Sequence, residues 1–96
     1  MLAMPKGPTP AAGPLARAIS AEVRATLARQ NMTVKDLAAA CGLSQGYLGK
    51  RMRDESPLNA NDFELICRAL SRDVVQFVTV ALDAAGYVPD WETRQI

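Results

Sequence analysis

Apolar residues recur along this chain at the spacing of α-helices. Leu15, Ile19, Val23 and Leu27 follow one another every four residues, which predicts an amphipathic helix from residue 15 to about residue 30. Four further stretches have helical periodicity: residues 34–41, 45–53, about 60–70 and 74–85. No segment has the strict alternation of a half-buried β-strand. The pattern therefore predicts an all-α fold, a compact bundle of five helices.

Polar residues mark where these helices begin and end. Thr33 stands at an N-cap position, and Asp36 follows three residues later, as in a capping box. Gly42 can adopt the left-handed conformation that ends many helices. Ser44 is the next N-cap candidate, so residues 42–44 are expected to form a short turn between two helices.

The fourth and fifth helices have similar signals. Either Asn59 or Asn61 can cap the fourth helix, and residues 71–73 separate it from the fifth, which Gly86 ends. The ends of the chain lack the helical pattern. Residues 1–14 hold four of the six prolines and are expected to be a disordered arm, residues 15–85 the folded domain, and residues 86–96 a tail with the only tryptophan.

Composition excludes several classes of function. The chain has no histidine, which removes His-based metal sites and Ser-His or Cys-His nucleophile pairs. Cys41 and Cys67 lie within apolar helical stretches, and we expect them to be reduced thiols used as small apolar residues. Neither a catalytic site nor a cofactor or metal is expected. Because no run of about 18 apolar residues occurs, the chain is expected to be cytoplasmic.

Charge is divided unevenly along the chain. Residues 17–53 carry seven basic and two acidic side chains, a net charge of +5, whereas residues 54–96 carry three basic and eight acidic ones, a net charge of −5. Such a division suits a domain with one face for a polyanion and another turned away from it.

The stretch GLSQGYLGKR, residues 42–51, has two interpretations. A phosphate-binding loop of the Walker type needs two glycines with four residues between them, then Lys and Ser or Thr, after a β-strand. Neither the spacing nor the preceding helical segment fits. A helix-turn-helix explains the same residues, since Ala38 allows two helices to approach, Gly42 allows the turn, and Leu37 and Leu48 face the core.

LAAACGLSQGYLGKRM resembles the helix-turn-helix of the lambda-repressor-like (Cro/C1, XRE-type) family, and SPLNANDFELICRALSRD resembles its fourth helix with the preceding loop. The resemblance covers about residues 15–82. It implies a domain whose third helix enters the major groove of a double-stranded DNA operator, usually as a homodimer, as in phage or mobile-element repressors. Two positions depart from the family pattern. Val34 stands where Gln is common, and Arg51 stands where an apolar residue is usual, which leaves open whether Arg51 or Met52 faces the core.

Within this resemblance, Gln45 is the candidate for reading adenine, and Lys50 could reach guanine or a phosphate. Gly46 and Gly49 would let the backbone approach DNA, although Gly49 could equally serve helix packing. Tyr47 either packs over the loop or donates to phosphate, and Arg51 either adds to the positive field or pairs with an acid that follows it. The predicted DNA-binding residues are Thr33, Ser44, Gln45, Gly46, Tyr47, Gly49, Lys50, Arg51 and Arg53.

An apolar stripe in the last helix continues toward the tail. Val75, Val78, Leu82 and Trp91 either close the core of the monomer or form part of a two-fold dimer interface. The expected function is that of a sequence-specific transcriptional regulator, most simply a repressor. The alternative is a protein-interaction module on the same scaffold, such as an antitoxin or an inhibitor of a host protein, which would use the last helix and the tail.

Overall fold

The computed structural model describes residues 10–88. Within this range the chain forms five α-helices and no strand, so the predicted all-α class is confirmed. The helices are α1 (Pro14–Arg29), α2 (Val34–Cys41), α3 (Gln45–Met52), α4 (Ala60–Ala69) and α5 (Val74–Ala85). In this range no helix is both long and apolar enough to cross a membrane.

Side-chain caps define the starts of α2 and α4. The Asp36 amide donates to the Thr33 hydroxyl, and the Thr33 amide donates to the Asp36 carboxylate; both distances are 3.0 Å. These two bonds form the predicted capping box. Of the two candidates for the start of α4, Asn59 is the cap, since its side chain accepts the amide of Asp62 at 2.7 Å. These bonds satisfy amides that a helix leaves unpaired in its first turn.

Two helix limits differ by one residue from expectation. Helix α1 begins at Pro14, which the sequence places in the arm, because proline suits the first helical position. Helix α3 ends at Met52 and Arg53 is its C-cap, since the chain turns at Asp54 into the left-handed region with φ of 62°. Gly42 and Gly86 end α2 and α5 with φ of 72° and 63°, as predicted.

The core lies where α1 packs on α5 and where α2 packs on α3 and α4. The Phe63 and Phe77 rings meet edge to face, with centroids 5.5 Å apart. The buried residues of this cluster are Val23, Leu27, Leu37, Ala38, Leu48, Met52, Phe63, Ile66, Cys67, Leu70 and Phe77.

Met52, not Arg51, takes the core position in the last turn of α3. Its side chain is 4% exposed, next to the fully buried Leu48. Residues four apart lie on the same side of a helix, so Leu48 and Met52 together form the inner face of α3. Arg51 is half-buried on the flank of the helix. The register that the sequence left open is therefore resolved in favour of Met52.

Glu22 is a buried acid that joins α1 to the loop before α5. Its carboxylate accepts a hydrogen bond from the Arg29 guanidinium at 3.0 Å, and the Arg72 guanidinium lies 3.8 Å away. The Thr26 hydroxyl donates to the backbone carbonyl of Glu22 at 2.8 Å. Because a buried charge is costly without partners, this cluster ties the two segments together.

The residues that precede α1 are docked on the domain. Ala12 is buried, its amide donates to the carbonyl of Asp54 at 3.2 Å, and its own carbonyl accepts a bond from Arg17 at 2.8 Å. Asp54 also accepts a hydrogen bond from the Ser20 hydroxyl. The end of the predicted arm is thus attached just beyond α3, while residues 1–9 lie outside the described residues.

Candidate DNA interface

The segment from α2 to α3 has the geometry of a helix-turn-helix. Gly42 turns the chain, and the Leu43 amide donates back to the Ala38 carbonyl at 2.9 Å, which closes the end of α2. Leu43 packs against the core and anchors the turn. Ser44 then caps α3, because its hydroxyl accepts the Tyr47 amide at 3.1 Å.

One face of α3 is open to solvent. Gln45, Gly46, Lys50 and Arg53 are exposed, while Leu48 and Met52 on the other side are buried. The side chains on the open face are an amide, an ammonium and a guanidinium, which are the groups that donate to base edges and phosphates. Ser44 and Thr33 are also exposed, at the N-termini of α3 and α2, and both already serve as caps.

The two glycines of α3 have different surroundings. A Cβ atom on Gly46 would meet nothing within 4 Å, so no contact inside the domain requires glycine there. A Cβ atom on Gly49 would lie 3.1 Å from the Arg53 guanidinium, which crosses the helix at this point. Gly49 is buried and not on the open face, and apart from this flexible guanidinium no side chain or neighbouring helix lies within 4 Å of that Cβ.

Arg53 is exposed but engaged, since its Nε atom donates to the Glu55 carboxylate at 2.7 Å. This bond raises the pKa of the Arg53 guanidinium and lowers the pKa of the Glu55 carboxyl. Solvent-exposed ion pairs contribute little free energy, so a DNA phosphate can replace Glu55 at small cost. Arg53 remains a candidate phosphate contact.

Tyr47 and Arg51 form a stacked pair on the flank of α3 that faces α4. The Tyr47 hydroxyl donates to the Asp62 carboxylate at 2.8 Å, and this bond raises the pKa of the phenol. The Arg51 guanidinium lies 3.6 Å above the centre of the Tyr47 ring, and its Nη1 atom donates to the Tyr47 carbonyl at 3.2 Å. Tyr47 therefore packs toward α4. Arg51 does not pair with the acids that follow it, because Asp54 pairs with Arg24 and Glu55 pairs with Arg53.

Arg24 on α1 is a residue of this surface that sequence reasoning missed. It donates to the Met52 carbonyl at 2.6 Å and lies 3.6 Å from the Asp54 carboxylate, so it binds the C-terminal end of α3. With Gln45 and Gly46 it lines a groove of about 480 Å³ between α1 and α3. No sequence signal could have found it, because its partners lie about 30 residues away and depend on how α1 packs.

The residues predicted for a dimer interface differ in exposure. Val75 is 73% exposed on α5, whereas Val78 and Leu82 are half-buried. Val78 packs against the core of its own monomer, which is the first of the two alternatives given for this stripe. Trp91 lies outside the described residues. The open apolar surface of α5 is thus centred on Val75.

Comparison with known proteins agrees with this geometry. A family model described as helix-turn-helix matches residues 23–77. The clp gene regulator ClgR from Corynebacterium glutamicum is similar in structure, with 26% identity, a TM-score of 0.69, and coverage of 75% of this chain and 77% of that one. No curated protein matches the sequence.

The restriction-modification controller protein C.Esp1396I is also similar. Its wild-type structure has 25% identity and a TM-score of 0.67, covering 72% of this chain and 90% of that one. Its tetramer in complex with a natural 35 base-pair operator has 23% identity and a TM-score of 0.69, covering 76% and 96%. At that identity the operator complex shows a shared fold.

Proposed function

The chain belongs to the helix-turn-helix family, in its lambda-repressor-like (XRE-type) group, and is a DNA-binding regulator; on that premise we propose that it represses transcription by placing α3 in the major groove of an operator. One observation carries the proposal. Gln45, Gly46 and Lys50 share the open face of α3, while Leu48 and Met52 anchor the opposite face in the core.

The proposed division of labour follows from side-chain chemistry. Gln45 can form two hydrogen bonds with adenine, and Lys50 can donate to guanine or to a phosphate. Arg51 and Arg53 contribute positive charge, while Ser44 and Thr33 stand at helix N-termini, where amides attract phosphates. Phosphate contacts set the register and base contacts set the sequence. The bound protein would block polymerase sterically, in the cytoplasm, with residues 15–85 as the DNA-binding domain.

We further propose that two copies associate through α5. Val75 is the most exposed large apolar side chain of this helix, and Val78 and Leu82 are half-buried along it. A two-fold interface would join the same surface of each copy, with the tail at 86–96 as an added contact. We expect Val75→Glu to yield a monomer in analytical ultracentrifugation at tens of micromolar and to weaken operator binding. A wild-type protein that sediments as a monomer and does not prefer palindromes would contradict this.

Selection of bound DNA from a random pool tests the regulatory function. We expect an enriched motif, with an affinity that falls steeply with salt because phosphate binding releases counterions. Gln45→Ala and Lys50→Ala should each weaken binding to the motif by about 1–3 kcal/mol, and Gln45→Ala should relax the preference at one position. Arg68→Ala removes an exposed arginine of α4 and serves as the control.

A protein-interaction module on the same scaffold is the second candidate, and its binding surface would include Val75, which is 73% exposed. An exposed valine suits a partner as well as it suits a second copy. Such a module would keep its partner when Gln45 and Lys50 are replaced by alanine. If the random pool enriches no motif, this function replaces the first.

A further inference from the structure

Asp62 connects the recognition helix to the start of α4. It is only 4% exposed, and its Oδ2 atom accepts the Tyr47 hydroxyl at 2.8 Å and the Asn59 amide at 3.5 Å. A single carboxylate oxygen therefore serves the cap of α4 and a side chain of α3, which are separated in sequence by the loop between these helices. The contact holds the Tyr47 ring in one position against α4.

The Tyr47 ring in turn holds the Arg51 guanidinium. The guanidinium stacks on the ring at 3.6 Å, and Nη1 donates to the Tyr47 carbonyl. Nε is enclosed and has no hydrogen-bond partner among residues 10–88. Arg51 thus differs from Lys50, whose side chain is exposed, and from Arg53, which extends to Glu55. Its cation is held by a ring and a carbonyl, without an acidic partner in the described ion pairs.

We infer that Asp62 and Tyr47 are positioning residues, which hold Arg51 as a preorganised cation for a DNA phosphate beside the α4 flank of α3. This inference rests on the proposed function. Fixing a long side chain before binding removes an ordering cost that corresponds to about 2- to 12-fold in affinity. A stacked guanidinium keeps its fork of donors in a defined plane, which suits a phosphate.

The same contacts assign Tyr47 an indirect role. A phenol has a single hydrogen to donate, and in this structure Asp62 accepts it. Tyr47 cannot donate to Asp62 and to a phosphate at once. Its effect on DNA binding should therefore pass through Arg51, which makes the two residues energetically dependent on each other.

A double-mutant cycle with the full chain tests this dependence on the selected operator. Arg51→Gln should reduce the slope of log Kobs against log salt by about 0.9, the value of one phosphate contact, and Arg68→Gln, the control for net charge, should leave it unchanged. Tyr47→Phe keeps the ring but loses the hydroxyl, and it should weaken binding by about 2- to 12-fold. In the Arg51→Gln background the same change should have less than about a twofold effect.

Variants of Asp62 separate positioning from folding. Asp62→Asn retains an oxygen that can accept from Tyr47 and Asn59, so binding should stay close to wild type. Asp62→Ala should weaken binding as much as Tyr47→Phe does. Thermal unfolding of each variant gives the fraction of folded protein at the temperature of the titration. Each affinity is corrected for this fraction, so that a loss of folding is not counted as a loss of binding.

Two results would overturn the inference while the proposed function stands. One is an unchanged salt slope in Arg51→Gln, and the other is an equal effect of Tyr47→Phe with and without Arg51. If the wild-type chain enriches no DNA motif, the proposed function fails first and the inference fails with it. The two failures are therefore distinguishable.

Discussion

Truncation of the neighbouring residues Arg51 and Met52 should affect different properties: Met52→Ala should mainly lower stability, and Arg51→Ala should mainly weaken operator binding. Met52 is 4% exposed and lies in the core beside Leu48. Replacing a buried methionine with alanine costs about 2–5 kcal/mol, through lost transfer energy and the cavity left behind. The whole chain is expected to have about 5–14 kcal/mol of stability, so Met52→Ala removes a large share of it. Arg51→Ala removes a stacking contact of about 0.5–1 kcal/mol.

Urea unfolding followed by circular dichroism measures both changes. We expect Met52→Ala to lower the midpoint strongly with little change in the slope of the transition, and to lower the melting temperature by at least about 8 °C. Arg51→Ala should shift both only slightly while weakening operator binding. If Arg51→Ala costs more stability than Met52→Ala, then Met52 does not hold the core position in the last turn of α3.

Three further outcomes are expected. Gly46→Ala should raise the stability of the domain by up to about 1 kcal/mol, because no atom lies within 4 Å of the new Cβ, and it should weaken DNA binding. An unchanged affinity would contradict the idea that DNA approaches the backbone closely at Gly46. Gly42→Ala should lower the free energy of unfolding by about 1–2 kcal/mol in urea titrations, because Gly42 has a φ of 72°, which strains a residue with a Cβ. An unchanged midpoint would argue against a left-handed conformation at Gly42. The Thr33 amide and hydroxyl lower the pKa of Asp36 below 3.8, so the contribution of this carboxylate to stability is complete above pH 3.8 and is lost as the pH falls through the lowered pKa. The free energy of unfolding of Asp36→Asn should therefore fall less with acid than that of the wild type, and the same fall in both proteins would contradict this.

Local signals account for what could be predicted from the sequence. The caps Thr33 and Ser44 and the turn at Gly42 involve partners three or four residues away, so the sequence carries the full interaction. The limits of α2 and α5 follow from such signals and agree with the structure. Periodicity likewise predicts the inner face of α3 up to Leu48, one turn before the ambiguous pair.

Contacts between distant segments could not be predicted. Asp62 accepts from Tyr47 across 15 residues, and Arg24 binds the end of α3 across 28. Each depends on how helices cross after packing, which a periodic pattern does not encode. Distant contacts also decide where Arg51 lies: Asp62 holds the Tyr47 ring, and Arg24 on α1 engages Asp54, one of the two acids that the sequence offered to Arg51.

The separation of an anchored face and an open face on α3 has a consequence for how such a regulator can change over time. Eight residues are too few for an isolated helix to persist in water, so α3 exists because Leu48 and Met52 dock it. Gln45, Gly46 and Lys50 contribute nothing to that docking. If these three positions read the operator as proposed, replacing them would change the operator while Leu48 and Met52 still dock the helix, so specificity and fold can change independently.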